Sequence, residues 1–527
     1  MTHHIHPTHP ANRRAGRRRL ALAAAVVMLS AGCAAPGGTA AADRPLVVGI
    51  AIATLDPVLA NQIQNDLPDT GLYEPLLDYD KKGAIRPRLA ASWSVAPDAR
   101  SVTLALNPKA TFASGTPVTA ADVVYTLDRT RAVGTGVASV LADFKQAEAL
   151  DDHHVRISLT RGDVAFLGGL SQIYVLDSKV VRQHEGTDHA QAWLASHAAG
   201  SGPYTRESFA QGSEIKLKLN QNYWGGKLAG RPGEIVLSDV NDNNVSRNGL
   251  LAGQYDAALQ GSRNAASFRN NSKFRVVKRK LVSQNYFWFN TKRPALSDVR
   301  VRRAIALAFD YSGFTTRVEG GDATVADGIL PVGMSCRVAT GRSHQDKAEA
   351  KRLLTEAGVN HLRITGEYQT WNPEHVQAAT LLQSDLRDIG VTLDLKQVTF
   401  PAYVAQLAKP ETTPDLMYLL DGPLFPDSGP TLERTYSTSA IGHGSNYANY
   451  SNPKADALIS KAVSDTDVSS RCAEIQRAQR IIADDQVSLN VSNNVQTMVV
   501  RKGITGLGDG DGYRFLDLTT IRQTGAR

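Results

Sequence analysis

The chain has 527 residues, of which 42% are apolar and 21% charged; this is an ordinary globular composition, and the length predicts two to four domains. The formal net charge of +7 is concentrated at the start, since the first 33 residues hold five arginines and no acid, and the remainder carries 53 basic against 51 acidic residues, a net of +2. A net charge this close to zero argues against attraction to an acidic membrane surface or a nucleic acid, and no nucleic-acid partner is expected.

The first 33 residues predict export. A run of arginines precedes the apolar segment Leu20 to Leu29, which is followed by Ser30-Ala31-Gly32-Cys33. A charged start, an apolar run of about 7–15 residues and small residues before a cleavage point are typical of a secretory signal peptide. A cysteine directly after Ala-Gly resembles the lipobox of bacterial lipoproteins. We therefore expect residues 1–32 to be a lipoprotein signal peptide and Cys33 to carry a lipid, with the general and twin-arginine export routes both open.

Residues 33–44 are rich in Gly, Ala and Pro and predict a flexible tether between the lipid and the folded body. Beyond them the cysteines are Cys336 and Cys472. In an exported chain these two either form one disulfide or remain buried thiols, and their separation in sequence does not decide between the two. No cluster of cysteine and histidine has zinc-ligand spacing, so no metal site and no cofactor are expected.

From Leu46 onward the pattern is that of a mixed α/β protein. The segment LVVGIAI predicts a buried strand, and the alternation in Ser101 to Leu106 predicts a half-buried one. Thr119 and Asp122 form a capping box, which predicts a helix that runs toward Arg131.

Later helices are marked by caps and by terminal glycines. One is predicted to start at Asp298, and another to start at Asp346 and stop at Gly358. A further helix stops at Gly390 and leads directly into the alternating segment VTLDLKQV. Helix, glycine and strand in this order predict an α/β unit packed on a sheet.

Motifs for catalysis are weak. His184, Glu185 and His189 form HExxxH, in which the two histidines are spaced one residue too far apart for one helical face. The G-x-S-x-G nucleophile motif does not occur in the sequence. We therefore predict that the chain is not an enzyme, and an exported peptide hydrolase is the alternative from a different functional class.

Four segments resemble one family, the large substrate-binding proteins of ABC importers for peptides and nickel, known as solute-binding family 5. They are LYEPLLDYD (72–80) with the nearby RPRLA and SW, ATFASGTPVTAADVV (110–124), GSGPY (200–204) with NYWGG (222–226), and Phe289-Asn290 followed by DVRVRRAI (298–305) and Asp310. The resemblance extends from about residue 46 to the carboxyl terminus. It implies an α/β fold of the periplasmic-binding-protein type II kind, with two hinged lobes and an inserted third domain.

The resemblance also implies domain boundaries. Lobe I is expected to comprise residues 45–76, 198–284 and 493–527, the inserted domain residues 77–197, and lobe II residues 285–492. In such proteins the lobes close on a solute by hinge motion.

In family members that bind peptides, an aspartate in a run like W-x-x-D-Y-x-D-P holds the free amine of the ligand. An ungapped alignment places Leu424 at the position of the amine-binding aspartate and Phe425 at the position of the tyrosine. Asp421, three residues earlier, takes the place of the aspartate only if the loop is shifted in the alignment. A leucine cannot neutralise an ammonium ion, and a buried unpaired ammonium is costly. This departure argues against a simple free-amine mode of peptide binding.

Aromatic residues are the other ligand-binding candidates. In NYFWFN (285–290), at the predicted lobe crossing, strand alternation places Tyr286 and Trp288 on one face and Phe287 and Phe289 on the other, and one face is predicted to be core. The segment YQTWNPEH (368–375) and Tyr403 fall where family members place ligand contacts. The candidate ligand-binding residues are Tyr286, Trp288, Trp371, His375, Tyr403 and Asp421.

The leading hypothesis is an extracytoplasmic solute-binding lipoprotein of an ABC importer, which captures a peptide or peptide-like solute and delivers it to the membrane permease and its ATPase. It is expected to be a monomer attached to the outer face of the cell membrane by its lipid. The alternative ligand is a metal chelate, a siderophore or another small non-peptide solute. A sensory binding protein that signals without import is a third hypothesis.

Overall fold

The computed structural model describes residues 44–59, 66–226, 229–369, 373–407, 409–442, 445–510 and 514–523. The predicted signal peptide, the lipidation candidate Cys33 and the ligand-contact candidate Trp371 lie outside these residues.

Strands and helices are mixed along the described chain. The strands are β1 (Leu46–Ile50), β2 (Leu77–Tyr79), β3 (Ile85–Pro87), β4 (Ala90–Val95), β5 (Ser101–Leu106), β6 (Phe144–Ala149), β7 (His154–Leu159), β8 (Tyr204–Ala210), β9 (Glu214–Leu219), β10 (Glu234–Asp239), β11 (Ala257–Leu259), β12 (Phe274–Phe289), β13 (Thr324–Val325), β14 (Leu362–Tyr368), β15 (Val391–Gln397), β16 (Leu416–Asp421), β17 (Ser488–Arg501), β18 (Ile504–Thr505) and β19 (Arg522–Gln523). The α-helices are α1 (Asp66–Leu72), α2 (Ala120–Val133), α3 (Phe166–Gly169), α4 (Ser178–Val181), α5 (Gln191–Leu194), α6 (Asn243–Ala252), α7 (Ser262–Ala266), α8 (Val299–Ala308), α9 (Tyr311–Gly313), α10 (Lys347–Glu356), α11 (Pro373–Asp388), α12 (Phe400–Leu407), α13 (Ser428–Tyr436), α14 (Pro453–Ser464) and α15 (Val468–Asp484). Within the described residues, none of these helices has the length and apolarity needed to cross a membrane.

Most strands belong to one large mixed sheet in the order β15-β14-β16-β12-β17-β11-β1-β10-β9-β8, with β13 beside β17. Strand β14 is parallel to β15 and β16, and β1 is parallel to β10 and β11. A separate antiparallel sheet has the order β4-β5-β7-β6. The predicted mixed α/β class is therefore confirmed.

The two longest strands, β12 and β17, run side by side through both halves of the large sheet. Their pairing extends from Phe274 opposite Arg501 to Trp288 opposite Ser488, with a register shift that begins after Lys280. One end of the pair packs in an apolar core formed largely by predicted lobe I, and the other end packs in the cores of predicted lobe II. These strands therefore connect the two halves of the molecule.

A third core fills the space around the separate β4-β5-β7-β6 sheet and consists of buried residues between Leu76 and Val175. The segment that follows packs elsewhere, because Leu176, Val181 and Leu194 contribute to the core of lobe I. The packing of the chain therefore changes near residue 175, from the third core to the core of predicted lobe I.

Local sequence signals locate several elements correctly. Helix α2 starts after the Thr119 cap, where both hydrogen bonds of the capping box with Asp122 are present, and ends at Gly134, whose φ is +68°. Helix α10 has the predicted Asp346 cap, and Gly358 follows it with a φ of +72°. Positive φ is costly for residues with a Cβ, so glycine at these two positions lets the chain leave the helix.

The predicted strands and the predicted α/β unit are also present in the structure. Strand β5 alternates between half-buried and buried residues, and β1 is largely buried. Helix α8 follows the predicted Asp298 cap, and α11 is followed by Gly390 and then β15, which pairs in parallel with β14.

The expectation that only one face of the NYFWFN strand is core was wrong. Tyr286 and Trp288 pack in the core beneath helices α13 to α15, whereas Phe287 and Phe289 pack in the opposite core beneath helices α8, α10 and α11. All four side chains are at most 4% exposed. Helices cover both faces of this part of the sheet, so both faces are apolar.

Cys336 and Cys472 are joined as a disulfide, with their Cα atoms 5.3 Å apart. Cys472 lies on α15, and Cys336 belongs to the loop between β13 and α10. The bond closes a segment with a sequence separation of 136 residues. A constraint on so long a segment removes many conformations from the unfolded chain.

We expect the double substitution Cys336→Ser and Cys472→Ser to lower the free energy of unfolding by about 2–4 kcal/mol, because the unfolded chain regains the entropy of that segment. Chemical denaturation of the oxidised protein and of the variant measures the difference. Treatment of the wild type with a thiol reductant should reproduce the loss, and reductant should leave the variant unchanged. Equal stability of variant and wild type would contradict the prediction.

Candidate ligand-binding site

The site lies where strands β14, β15 and β16 end. Because these strands are parallel, their carboxyl ends lie at one edge of the sheet, and in open α/β sheets ligands bind at that edge. Gln284 on β12 pairs with Asp421 at the end of β16 and with Asn493 on β17. The edge therefore coincides with the stretch of β12 and β17 that joins the two halves of the molecule.

On one face of the sheet the site is aromatic. Tyr286 stacks on Trp288 with ring centroids 4.6 Å apart, and Trp288 also contacts Tyr436 and Tyr447 at 5.7 Å each. The indole Nε1 of Trp288 and the hydroxyl of Tyr403 are buried and have no hydrogen-bond partner among the described residues. Buried donors are normally paired, so these two are candidates for contact with a bound polar group.

Asp421 lies at the edge of this aromatic group and is already paired. Its Oδ2 is 3.0 Å from Nη2 of Arg434, which also donates to the carbonyl of Gly422, while Nη1 of the same arginine donates to Ser445. Burial opposes the charge of Arg434, but the Asp421 carboxylate raises the pKa of this arginine overall. The Asp421 carboxylate therefore has its counter-charge within the protein.

Leu424 and Phe425, the residues aligned with the amine-binding run, lie elsewhere. Phe425 is buried against Tyr79 and Ala165 from the inserted domain, and Leu424 packs at the border of the same small cluster. Their side chains form an apolar contact between the segments predicted as the inserted domain and lobe II.

The opposite face of the sheet carries His375, in the first turn of α11. Its ring lies 4.9 Å from the ring of Tyr418, almost at a right angle to it, and is 1% exposed. Burial lowers the pKa of His375 to about 4, so the ring is neutral at pH 7. His375 is therefore separated by the sheet from the aromatic group of Tyr286, Trp288 and Tyr403.

Glu319 is the most unusual residue on this second face. Its Oε1 accepts hydrogen bonds from Asn285 Nδ2 at 3.1 Å and from Ser492 Oγ at 2.8 Å. Its Oε2 is buried without a partner among the described residues, and the whole residue is 4% exposed. Burial raises the pKa of Glu319 to about 8, with a smaller contribution from the nearby charge of Glu374.

Predicted lobe I approaches this acidic face through the turn between β11 and α7. A Cβ placed on Gly261 would lie 3.6 Å from a carboxylate oxygen of Glu374, and one placed on Gly320 would lie 3.3 Å from Cβ of Ser262. The neighbouring Gln260 is 3% exposed, and its Oε1 also lacks a hydrogen-bond partner among the described residues. The segments predicted as lobe I and lobe II therefore both contribute to this face of the site.

The structure thus brings Tyr286, Trp288, Tyr403 and Asp421 together on one face and places His375 on the other. Sequence reasoning missed Arg434, Tyr418 and Glu319. Arg434 lies two helical turns after the Asp427 cap of α13, so helical periodicity was a usable signal. Glu319 has no such local signal, because its neighbours come from distant strands.

Known proteins share this architecture along nearly the whole chain. The probable D,D-dipeptide-binding periplasmic protein DdpA of Escherichia coli is 25% identical over 472 residues, which cover 88% of this chain and 90% of that protein. The dipeptide-binding protein from Pseudoalteromonas sp. SM9913, in complex with Met-Leu, has a TM-score of 0.82 at 22% identity and covers 91% of this chain and 100% of its own. NikZ from Campylobacter jejuni, in complex with Ni(L-His), has a TM-score of 0.79 at 20% identity, with coverage of 91% and 100%.

These structural likenesses confirm the predicted type II periplasmic-binding-protein fold, with two lobes and an inserted domain. The family model for bacterial extracellular solute-binding proteins, family 5, matches residues 84–443, which is more than half of the chain. The chain therefore belongs to family 5 of the bacterial extracellular solute-binding proteins.

Proposed function

We propose that this chain captures a peptide or peptide-like solute between lobes I and II, outside the cytoplasm, and delivers it unaltered to the permease of an ABC importer. The observation that carries the proposal is the buried carboxylate of Glu319, whose Oε2 has no partner among the described residues and which lies near Glu374, the residue that the Gly261 turn approaches. The relatives that bind dipeptides support a peptide as the solute.

The proposed domain boundaries are those expected from the sequence: lobe I (45–76, 198–284 and 493–527), the inserted domain (77–197) and lobe II (285–492). The last part of the inserted domain, after Val175, packs against the core assigned to lobe I. The connecting strands β12 and β17 support a hinge near the register shift that follows Lys280. Tyr286, Trp288, Trp371, His375, Tyr403 and Asp421 remain the proposed ligand contacts. The described members of this set lie on both faces of the sheet, which favours a solute that reaches around its edge.

The inserted domain contacts lobe II in a way that supports lobe closure. Arg161 bonds to Asp143 within the inserted domain and, through Nη2, to Oε1 of Glu433 on α13 at 2.6 Å. The amide of Val164 donates to the carbonyl of Val463 at 3.2 Å. We propose that these contacts form on closure and favour the ligand-bound state.

Substitution Glu433→Gln should therefore weaken ligand binding about 2–5-fold, because a partly exposed ion pair contributes up to about 1 kcal/mol. The substitution keeps the shape of the side chain but removes the charge that Arg161 contacts across the interface. Isothermal titration calorimetry at 50 mM and 500 mM salt measures the effect, which should be smaller at high salt. The matched control is Glu356→Gln, which removes an exposed pair with Arg352 within α10 and should leave affinity unchanged.

The experiment that tests the proposed function is a thermal-shift screen of di- to hexapeptides, with siderophores and metal chelates as competing candidates. A true ligand at 100 times its Kd adds about 2.7 kcal/mol to the free energy of unfolding and raises Tm. Small-angle scattering of the same sample should show a smaller radius of gyration. A chelate that alone shifts Tm would replace the peptide assignment, and cleavage of a peptide detected by mass spectrometry would contradict the binding function.

Attachment through a lipid on Cys33 is part of the proposal, as is a monomeric state. The sequence Ser30-Ala31-Gly32-Cys33 supports the lipid attachment. Metabolic labelling with a fatty acid analogue should mark the wild type and leave the Cys33→Ala variant unlabelled. A label that persists in the variant would contradict the anchor.

A further inference from the structure

We propose that Glu319 binds a cationic ammonium group of the captured solute and so replaces the missing amine-binding aspartate; this inference rests on the proposed function. The two candidates near the usual position do not serve that purpose. Leu424 has no charge and packs toward the inserted domain, and Asp421 is neutralised by Arg434. A buried ammonium requires a carboxylate whose charge is still available.

Glu319 meets that requirement. No ion pair links it to a lysine, arginine or histidine within the described ranges, and its hydrogen-bond donors, Asn285 and Ser492, are neutral. Both donors reach Oε1, which leaves Oε2 buried and without a described partner. A carboxylate kept in this state is costly unless a proton or a cation joins it, and a ligand ammonium is such a cation.

The surroundings of Glu319 are rich in acceptors. Glu374 on α11 adds a second carboxylate, and burial followed by the charges of Glu319 and Glu374 raises the pKa of Tyr418 on β16, whose hydroxyl has no described partner. From predicted lobe I, the backbone at Gly261 approaches the same carboxylates, since a Cβ placed there would lie 3.6 Å from an oxygen of Glu374. An ammonium group has three donors and no acceptor, which matches such a site and would help to draw lobe I onto lobe II.

Proton release gives this inference a specific signature. Burial keeps the pKa of the empty Glu319 near 8, so the carboxyl is largely protonated at pH 7. An arriving ammonium pairs with the carboxylate, and the carboxyl proton passes to solvent. Binding at pH 7 should therefore release up to about one proton per ligand.

The test compares the wild type with Glu319→Gln, which retains an oxygen for Asn285 and Ser492. The probes are alanine peptides of two to six residues, their N-acetylated forms, and N-acetylated peptides with one lysine. We expect N-acetylation or Glu319→Gln to weaken binding by about 30-fold or more, since loss of one partner of a buried charge pair has at least that effect. Rescue of an acetylated peptide by its lysine would identify a side-chain ammonium as the bound group. Calorimetry in phosphate and Tris buffers detects proton release, because the two buffers take up a proton with different enthalpies. The measured binding enthalpy should therefore depend on the buffer for the wild type only.

A matched control is Glu367→Gln on β14. This carboxylate is about as buried as Glu319 but already has Lys396 and Gln406 as partners, so its substitution should not change the dependence on the free amine. If peptides bind the wild type and Glu319→Gln equally well, the inference is wrong and the proposed function stands.

If no peptide binds the wild type, the peptide function fails instead. The inference is then decided with n-butylammonium chloride at constant ionic strength. That probe should raise the Tm of the wild type and not that of Glu319→Gln, and equal shifts in the two proteins would overturn the inference.

Discussion

Replacement of Arg129 by methionine should lower the free energy of unfolding by about 3–5 kcal/mol, since it leaves a buried carboxylate without its counter-charge. Arg129 on α2 donates from Nη1 and Nη2 to the two oxygens of Asp56 at 3.0 and 2.6 Å, and both side chains are fully buried. Its Nε donates to the carbonyl of His189 at 2.7 Å. One guanidinium thus fixes the loop after β1 and the segment before α5 to the same helix.

Differential scanning calorimetry measures the effect, which corresponds to a decrease in Tm of about 3–5 °C for a chain of this length. The double variant Asp56→Asn with Arg129→Met should recover part of the loss, because the uncompensated charge is then removed as well. The matched control is Arg352→Met on α10, whose partners Glu349 and Glu356 are exposed. A loss for Arg129→Met no greater than that of the control would contradict the prediction.

Substitution Glu319→Gln should make the stability of the ligand-free protein less dependent on pH. The pKa of Glu319 is raised from 4.5 to about 8 by burial, so between these values the folded chain holds a proton that the unfolded chain has released. The stability contributed by this group is therefore complete below about pH 4.5 and is lost as pH rises toward 8. The total loss is on the order of 5 kcal/mol, because the pKa rises from 4.5 to about 8 and one pKa unit corresponds to about 1.4 kcal/mol. A glutamine has no proton to lose.

Urea unfolding at intervals from pH 5 to pH 9 provides the measurement. The variant should be similar to the wild type at pH 5 and more stable than it at pH 9. Asp66 and Asp163, whose pKa values burial raises to about 7, give a pH dependence of the same sign in both proteins, so the difference between the two curves isolates Glu319. Parallel curves would show that Glu319 ionises normally in the folded chain.

The sequence by itself determined the local elements and the family. The Thr119 capping box, the Asp298 and Asp346 caps and the glycines at 358 and 390 act over a few residues, so their effects do not depend on the rest of the fold. The motifs between Leu72 and Asp310 indicated the solute-binding family, which the family match confirms. From that resemblance the two-lobed fold followed.

Only the tertiary structure decided which side chains are paired, buried or unsatisfied at the site. Tyr286 and Trp288 have helices above them while Phe287 and Phe289 have other helices below, so alternation separated the two faces but could not reveal that both are covered. Glu319 meets Asn285 and Ser492 across sequence separations of 34 and 173 residues. Burial and charge pairing are set by such distant neighbours. No pattern within a short segment records them, and the carboxylate that we propose for the ligand amine therefore became visible only in the folded chain.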